Sequence, residues 1–240
     1  MIYSSAENKK VKEYKKLKQK KYRDKTKMFL VEGQHLVEEA YKNGQLQELL
    51  LEEETNYNLD IKTIYLTKPI MKSISSLTTP PKIMGLCKKK CSENLGEKII
   101  LLDDIQDPGN LGTIIRSAVA FDFNTIIISK NTVDPYNEKV IRATQGMIFK
   151  VNILITNIDE IIPKLKNQEY KILGTKVTFG KNIKSLEKNK KVAIIMGNEG
   201  SGVKPNLLKK CDEHIYIPMN KNCESLNVGV ATSIIMYELR

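Results

Sequence analysis

Residues 96–240 predict an α/β fold with a largely parallel sheet, and two observations carry that expectation. Short apolar runs suited to buried strands recur at 99–102, 125–129, 151–155, 171–175, 192–196 and 215–219. Helical periodicity fills most of the intervals, at 111–120, 137–148, 158–166 and 205–210. Strands that alternate with helices in this way form parallel sheets, because each helix carries the chain back across the sheet. The final segment, 225–240, spreads Leu226, Val228, Val230, Ala231, Ile234, Ile235, Met236 and Leu239 round most of a helical circumference. A helix apolar on all sides is expected to be buried, here against its own sheet and a second subunit.

Residues 1–95 predict a smaller α/β domain. A lysine-rich amino-terminal helix gathers Val11, Tyr14 and Leu17 by helical spacing. A strand follows at 28–31, then a helix over 34–43 with Leu36, Val37 and Ala40 facing inward and a stop at Gly44. Further strands are expected at 49–51, 63–66 and 83–86, with the Ser75 to Pro81 tract as a breaker. The polar stretch from Lys88 to Lys98 separates the halves, and the boundary is placed near residue 95.

The chain has 240 residues, 41% of them hydrophobic, a globular composition with enough length for two modest domains. Aliphatic runs stop at four residues, far short of the ~20 that span a bilayer. Lysines rather than an apolar stretch follow Met1, so a cytoplasmic protein without a membrane partner is expected. Cys87 and Cys91 form a C-x3-C pair, but Cys211 and Cys223 do not supply a second close pair. Of the two histidines, His35 stands alone and His214 lies in an alternating strand pattern, so no metal centre is expected.

Thirty-nine Lys and Arg against 28 Asp and Glu give a net charge of +11 and a pI near 9.3. Eleven of the basic residues fall within the first 27, against Glu7, Glu13 and Asp24. That stripe, including Lys16, Lys20, Lys21 and Arg23, suits the phosphates of a polyanion. A solvated lysine-rich helix accounts for the charge equally well.

In open α/β sheets, ligands gather at the carboxyl ends of strands, and three of the loops there are unusual. After 99–102 comes Asp107-Pro108-Gly109-Asn110-Leu111-Gly112, with Asn110 a fair helix N-cap and Arg116 four residues beyond Gly112 on the same helical face. After 192–196 comes Gly197-Asn198-Glu199-Gly200-Ser201-Gly202, which brings backbone close to a ligand but lacks the lysine of a phosphate loop. The third cluster runs from Ile217-Pro218-Met219 to Ser225-Leu226-Asn227-Val228, with Ser225 as N-cap of the last helix. Each alone is compatible with an ordinary capped helix or loop.

In this order and spacing, Asn110-x-Gly112-x-x-x-Arg116, Gly197-Asn198-Glu199-Gly200 and Ile217-Pro218-Met219 with Ser225-Leu226-Asn227-Val228 resemble the SpoU (TrmH-like) branch of the SPOUT RNA methyltransferases. Asp134 to Asn137 with Val140 to Ala143 resembles a further stretch of that branch. Phe29 to Gly33 with His35 to Ala40 is similar to the ribosomal-protein-like RNA-binding domain that precedes it in many members. The resemblance implies a trefoil-knotted methyltransferase domain over 96–240, a homodimer, and S-adenosylmethionine held by Gly197, Asn198, Gly200, Ile217, Met219, Ser225, Leu226 and Asn227.

The reaction it implies is methyl transfer to a ribose 2′-hydroxyl, with Arg116, Asn110 and Glu199 as catalytic candidates and Arg142 as a phosphate contact. Arginine is scarcely ever neutral, its pKa lying above about 12, so Arg116 suits a charge-stabilising role, with an RNA phosphate taking the proton, better than that of a base; the alternative is a phosphate that pairs with Arg116 and enables it to act as one. Large-subunit (23S) ribosomal RNA is the favoured substrate. A tRNA 2′-O-methyltransferase and a non-catalytic RNA-binding assembly factor are the alternatives.

Overall fold

In the computed structural model, which describes residues 2–90, 92, 94–187 and 189–240, the chain groups into two compact units. Residues 1–90 group with 134–149, and 91–133 with 150–240. The sequence boundary near residue 95 divides the chain once, whereas this grouping returns sixteen residues of the second half to the first unit.

The first unit contains β1 (Ile2–Tyr3), α1 (Lys9–Lys16), α2 (Lys20–Thr26), β2 (Met28–Glu32), α3 (Gln34–Lys42), β3 (Leu46–Glu52), β4 (Thr63–Leu66), α4 (Lys68–Ile74) and β5 (Ile83–Lys88). Its mixed sheet has the order β1-β4-β3-β5-β2. The single lysine-rich helix expected from sequence is two helices, because Arg23 folds back to donate from Nη1 to the Leu17 and Lys18 carbonyls at the break. Val11, Tyr14 and Leu17 are buried, as their spacing predicts, against Leu50, Met84, Leu86 and the apolar side of α4. α4 was not foreseen, since its two turns lie between a strand and the breaker tract. Elsewhere in the unit, Phe29 meets Tyr136 at a tilt and stacks on Phe149, at centroid distances of 4.8 and 6.2 Å. Residues 134–149 thus complete an aromatic cluster of this unit. Cys87 is buried in β5, and Cys91, the other half of the C-x3-C pair, lies outside the described residues.

The remaining elements are β6 (Lys98–Leu102), α5 (Pro108–Ala120), β7 (Thr125–Ile128), α6 (Glu138–Thr144, in the first unit), β8 (Asn152–Ile155), α7 (Ile158–Asn167), β9 (Lys171–Thr175), β10 (Lys181–Asn182), β11 (Val192–Met196), α8 (Pro205–Leu208), β12 (Glu213–Tyr216) and α9 (Val228–Glu238). The second unit's sheet has the order β10-β12-β9-β11-β6-β7-β8, and every pairing in it is parallel. Ile99, Leu101, Ala193 and Ile195 are buried with Ile158, Ile162 and Leu165 of α7 on one face. The last strand ends at Tyr216 rather than 219, so Ile217-Pro218-Met219 belongs to the loop beyond it. His214 sits in this strand with Nε2 3.0 Å from the Leu208 carbonyl. No helix among the described residues is long and apolar enough to cross a membrane.

Candidate functional site

Four neighbouring strands, β12, β9, β11 and β6, run parallel. The loops at their carboxyl ends therefore gather at one end of the sheet. Beyond β6, α5 is capped by Asp107 rather than Asn110: the Asp107 carboxylate accepts from the Asn110 amide at 2.8 Å, and Pro108 opens the first turn. Asn110 is thereby free for another task. Likewise Asn227, not Ser225, caps α9, its Oδ1 accepting from the Gly229 and Val230 amides at 2.9 and 3.2 Å. In both corrections the capping residue lies where the chain enters the helix, a position that residue type alone does not fix.

Asn110 and Asn227 meet. Asn227 Nδ2 donates to Asn110 Oδ1 at 2.8 Å, and Asn110 Nδ2 donates to Glu199 Oε1 at 3.0 Å. The Glu199 carboxylate also accepts from the Gln106 and Asp107 amides at 3.1–3.3 Å. Partial burial would raise its pKa, but the hydrogen bonds from Asn110 and the surrounding amides outweigh that and hold it below the usual carboxylate range. Three loops that are far apart in sequence are thus bound through one anion.

The Gly197–Gly202 loop is closed on itself by paired backbone bonds between Asn198 and Gly202 at 3.0 and 3.1 Å. A Cβ on Gly197 would lie 2.0 Å from the Gly202 carbonyl carbon, so only glycine fits there. Asn198 Oδ1 accepts from the Gly200 amide at 2.9 Å, and its Nδ2 donates to the Asp104 carbonyl at 2.8 Å. At the loop's other end, Lys204 Nζ bridges the carboxylates of Asp103 and Asp104 at 2.9 and 2.6 Å. Burial acts to raise the pKa of Asp104, yet Lys204 and Ser129 hold it low, while the two aspartates raise that of Lys204. The sequence reading missed this clamp, since paired aspartates after a strand carry no recognisable signature.

A cavity of about 520 Å³ opens beside the loop. Of the eight residues expected to hold a cofactor, Gly197, Asn198, Gly200, Ile217, Met219, Ser225 and Leu226 line it, as does Glu199; Asn227 does not. The sequence reading passed over the loop from Thr175 to Phe179, which forms part of the wall. Its position depends on β9 lying between β11 and β12, an order that local periodicity does not encode. Arg116 is exposed on α5, has no hydrogen bond or ion pair among the described residues, and does not line the cavity.

In the first unit, Lys16, Lys20 and Lys21 are exposed, with Lys16 and Lys21 ammonium groups 5.6 and 5.0 Å from the Tyr22 ring centroid. Arg23 is not part of that surface. It is 4% exposed and bonds through Nε and Nη2 to Asp134 at 3.0 and 2.5 Å, which corrects its assignment as a phosphate contact. Arg142 is half-buried and donates to Ser76 Oγ at 3.0 Å, with further N–H groups unspent.

Residues 97–237 match the SpoU rRNA Methylase family, and residues 8–85 match the MRM3-like substrate binding domain. A curated relative, 23S rRNA (guanosine(2553)-2′-O)-methyltransferase RlmP of Bacillus subtilis, is 39% identical over 98% of this chain and 98% of its own. An AdoMet-bound rRNA methyltransferase from Sinorhizobium meliloti superposes with a TM-score of 0.87 at 28% identity, covering 100% of this chain and 97% of the other. A crystal structure of an RNA 2′-O ribose methyltransferase gives 0.81 at 25% identity, covering 100% and 98%. The loops that Glu199 ties together and the residues that line the cavity all fall within the first of these matches, and the chain belongs to the SpoU rRNA methylase family.

Proposed function

We propose that this chain transfers a methyl group from S-adenosylmethionine to a ribose 2′-hydroxyl of 23S ribosomal RNA. The observation that carries the reading is the Glu199–Asn110–Asn227 chain of hydrogen bonds, with Glu199 in the wall of the cavity. The cavity suits the cofactor. Gly197 and Gly200 bring backbone into its wall with no side chain in the way, whereas Ile217, Leu226 and Ile235 supply apolar surface for an adenosine. Ser225, Met219 and Asn198 complete the set that would hold it, with Asn227 acting from behind through Asn110. When bound, the cofactor supplies an electrophilic methyl group on a sulfonium.

The chain's own groups divide the remaining work. Glu199 is an anion with its oxygens committed to amide donors, so it serves as a positioning residue rather than a base. Asn110, held at both ends of its amide, keeps one Nδ2–H and one lone pair for the ribose. Arg116 provides a fixed positive charge beside the developing alkoxide, whose proton passes to an RNA phosphate as the carbon–sulfur bond of the cofactor breaks to leave a neutral thioether. Because Arg116 lies outside the cavity lining of its own chain, it acts in a homodimer, reaching the cavity of a second copy. The exposed apolar residues of α9, Val230 and Tyr237 at 46% and 49%, support such pairing, which gives the all-round apolar helix the cover its sequence calls for.

Family membership further supports a trefoil knot in the loops beyond β11 and β12, and a ribosomal-protein-like character for the first unit. Lys16, Lys20, Lys21 and Arg142 would contact RNA phosphates there, and the protein would work in the cytoplasm. The test is transfer of labelled methyl to ribosomal RNA and tRNA from cells lacking the protein, followed by nucleoside analysis. Label in a 2′-O-methylnucleoside of 23S RNA is the expected result. Label in tRNA alone would move the substrate, and cofactor binding without transfer to either pool would favour an assembly factor.

A further inference from the structure

A second cavity, of about 680 Å³, adjoins the cofactor cavity, and the two share Val177, Thr178, Phe179, Tyr216, Ile217 and Met219 in their walls. The second one also carries polar groups, among them Asn220, Lys221 and Glu224. We propose that it receives the base of the target nucleotide, a guanine, with Phe179 as its stacking platform and Glu224 as the reader of its Watson–Crick edge. The inference rests on the RNA methyltransferase reading and adds to it the pocket that selects the nucleotide.

Three observations converge on a nucleobase. Phe179 is 84% exposed, the most exposed large apolar side chain among the described residues, and Val177 in the same loop is 51% exposed. Phe179 takes a left-handed backbone conformation at φ 65°, a strained one for an aromatic residue. Gly180 follows at φ 141°, where a Cβ would lie 2.6 Å from the His214 carbonyl oxygen. The loop is thus pinned against the β12 backbone, and the ring is held outward at the boundary between the cavities. An exposed aromatic face beside a cofactor cavity suits a base removed from its stack, because every base has a π-face to lay upon it.

The polar groups choose among bases. The Glu224 carboxylate has no hydrogen bond or ion pair among the described residues, and an ionised carboxylate only accepts. Guanine presents N1–H and the 2-amino group as adjacent donors on one edge, which a carboxylate can accept together. Asn220 Oδ1 is taken by the Asn222 amide at 2.9 Å, leaving Nδ2 to donate, and guanine has O6 next to N1–H to accept it. Lys221, between the two, carries the positive charge that a neighbouring phosphate would pair with.

The experiment uses the full chain, S-adenosylmethionine and a ribosomal RNA transcript whose methylated nucleotide has been mapped. Phe179→Ala should raise the KM for RNA about tenfold, measured at saturating cofactor so that the wall shared with the cofactor cavity does not enter. Inosine at the target, which lacks the 2-amino group, should lower kcat/KM for the wild type about tenfold and leave Glu224→Gln indifferent to the change. An unchanged RNA KM in Phe179→Ala, an equal inosine penalty in both proteins, or a target other than guanosine overturns the base pocket. Where the wild type methylates RNA and the variants behave as it does, the pocket alone fails. Where the wild type binds cofactor but methylates no RNA, the methyltransferase reading fails and takes the pocket with it.

Discussion

Arg23 and Arg116 lie on helices of different units and put the same guanidinium to opposite uses. Arg23 spends its donors inside the first unit, on Asp134 and on the Leu17 and Lys18 carbonyls. Arg116 spends none among the described residues and stands in solvent on α5. A charge that is buried and paired cannot be withdrawn for a ligand without leaving its partner stranded, whereas an exposed one is available at little cost. Burial, more than residue type, separates a structural cation from one that can meet RNA.

The largest effect should come from breaking the buried member of this pair. Arg23→Ala strands the Asp134 carboxylate, 7% exposed, and should cost about 3–5 kcal/mol in urea unfolding. The double variant Arg23→Met/Asp134→Leu should recover much of that loss, because replacing both charges with apolar groups removes the stranded one. A single variant as stable as the wild type would put the arginine back on the surface. Arg116→Ala should do the reverse. It should leave unfolding within about 0.5 kcal/mol of wild type and lower kcat a hundredfold or more, the scale of losing one charge-stabilising donor. Near-normal turnover would end its catalytic assignment.

Lys204 sharpens the contrast, since it is a half-exposed cation that supports a ligand site by pairing. It fastens one end of the glycine-rich loop to Asp103 and Asp104 while Asn198 fastens the other to the Asp104 carbonyl. Lys204→Met should weaken cofactor binding about tenfold in calorimetry, the loss expected from charge-assisted hydrogen bonds, and Lys204→Arg should restore most of it. Loss of kcat at unchanged cofactor affinity would contradict a role in holding the loop.

The parallel sheet was legible because its strands are continuous apolar runs, such as Ile99 to Leu102, with helical periodicity between them. The inner faces of α1 and α3 were legible for the same reason, Val11, Tyr14, Leu36, Val37 and Ala40 all being buried at helical spacing. Motif order pointed to loops that do share a cavity wall, seven of the eight expected residues lining it, and it drew attention to Asn110 and Asn227. What they do was not: sequence offered Asn110 as a cap, and the fold gives that work to Asp107 and ties Asn110 to Glu199. Nor did charge density identify Arg23 as internal, because its partner lies 111 residues away. Contacts of that separation leave no local period to read.

The smallest expected effect concerns Glu199 and its dependence on pH. Its pKa is lower in the folded chain than in the unfolded one, so its ionised form stabilises the fold above the unfolded value, about 4.3, and that contribution is lost as pH falls through the folded value. Glu199→Gln removes the anion that the Gln106, Asp107 and Asn110 donors face, and should lower the urea midpoint at pH near 7. Once pH has fallen through that lowered folded value the wild-type carboxyl is protonated as well, and the two midpoints should converge. Midpoints that stay equally far apart all the way down to the acid limit of the native state would mean that the variant acts through shape rather than charge. Glu199 would then be a spacer between loops, and the case for Asn110 being held by an anion would fall with it.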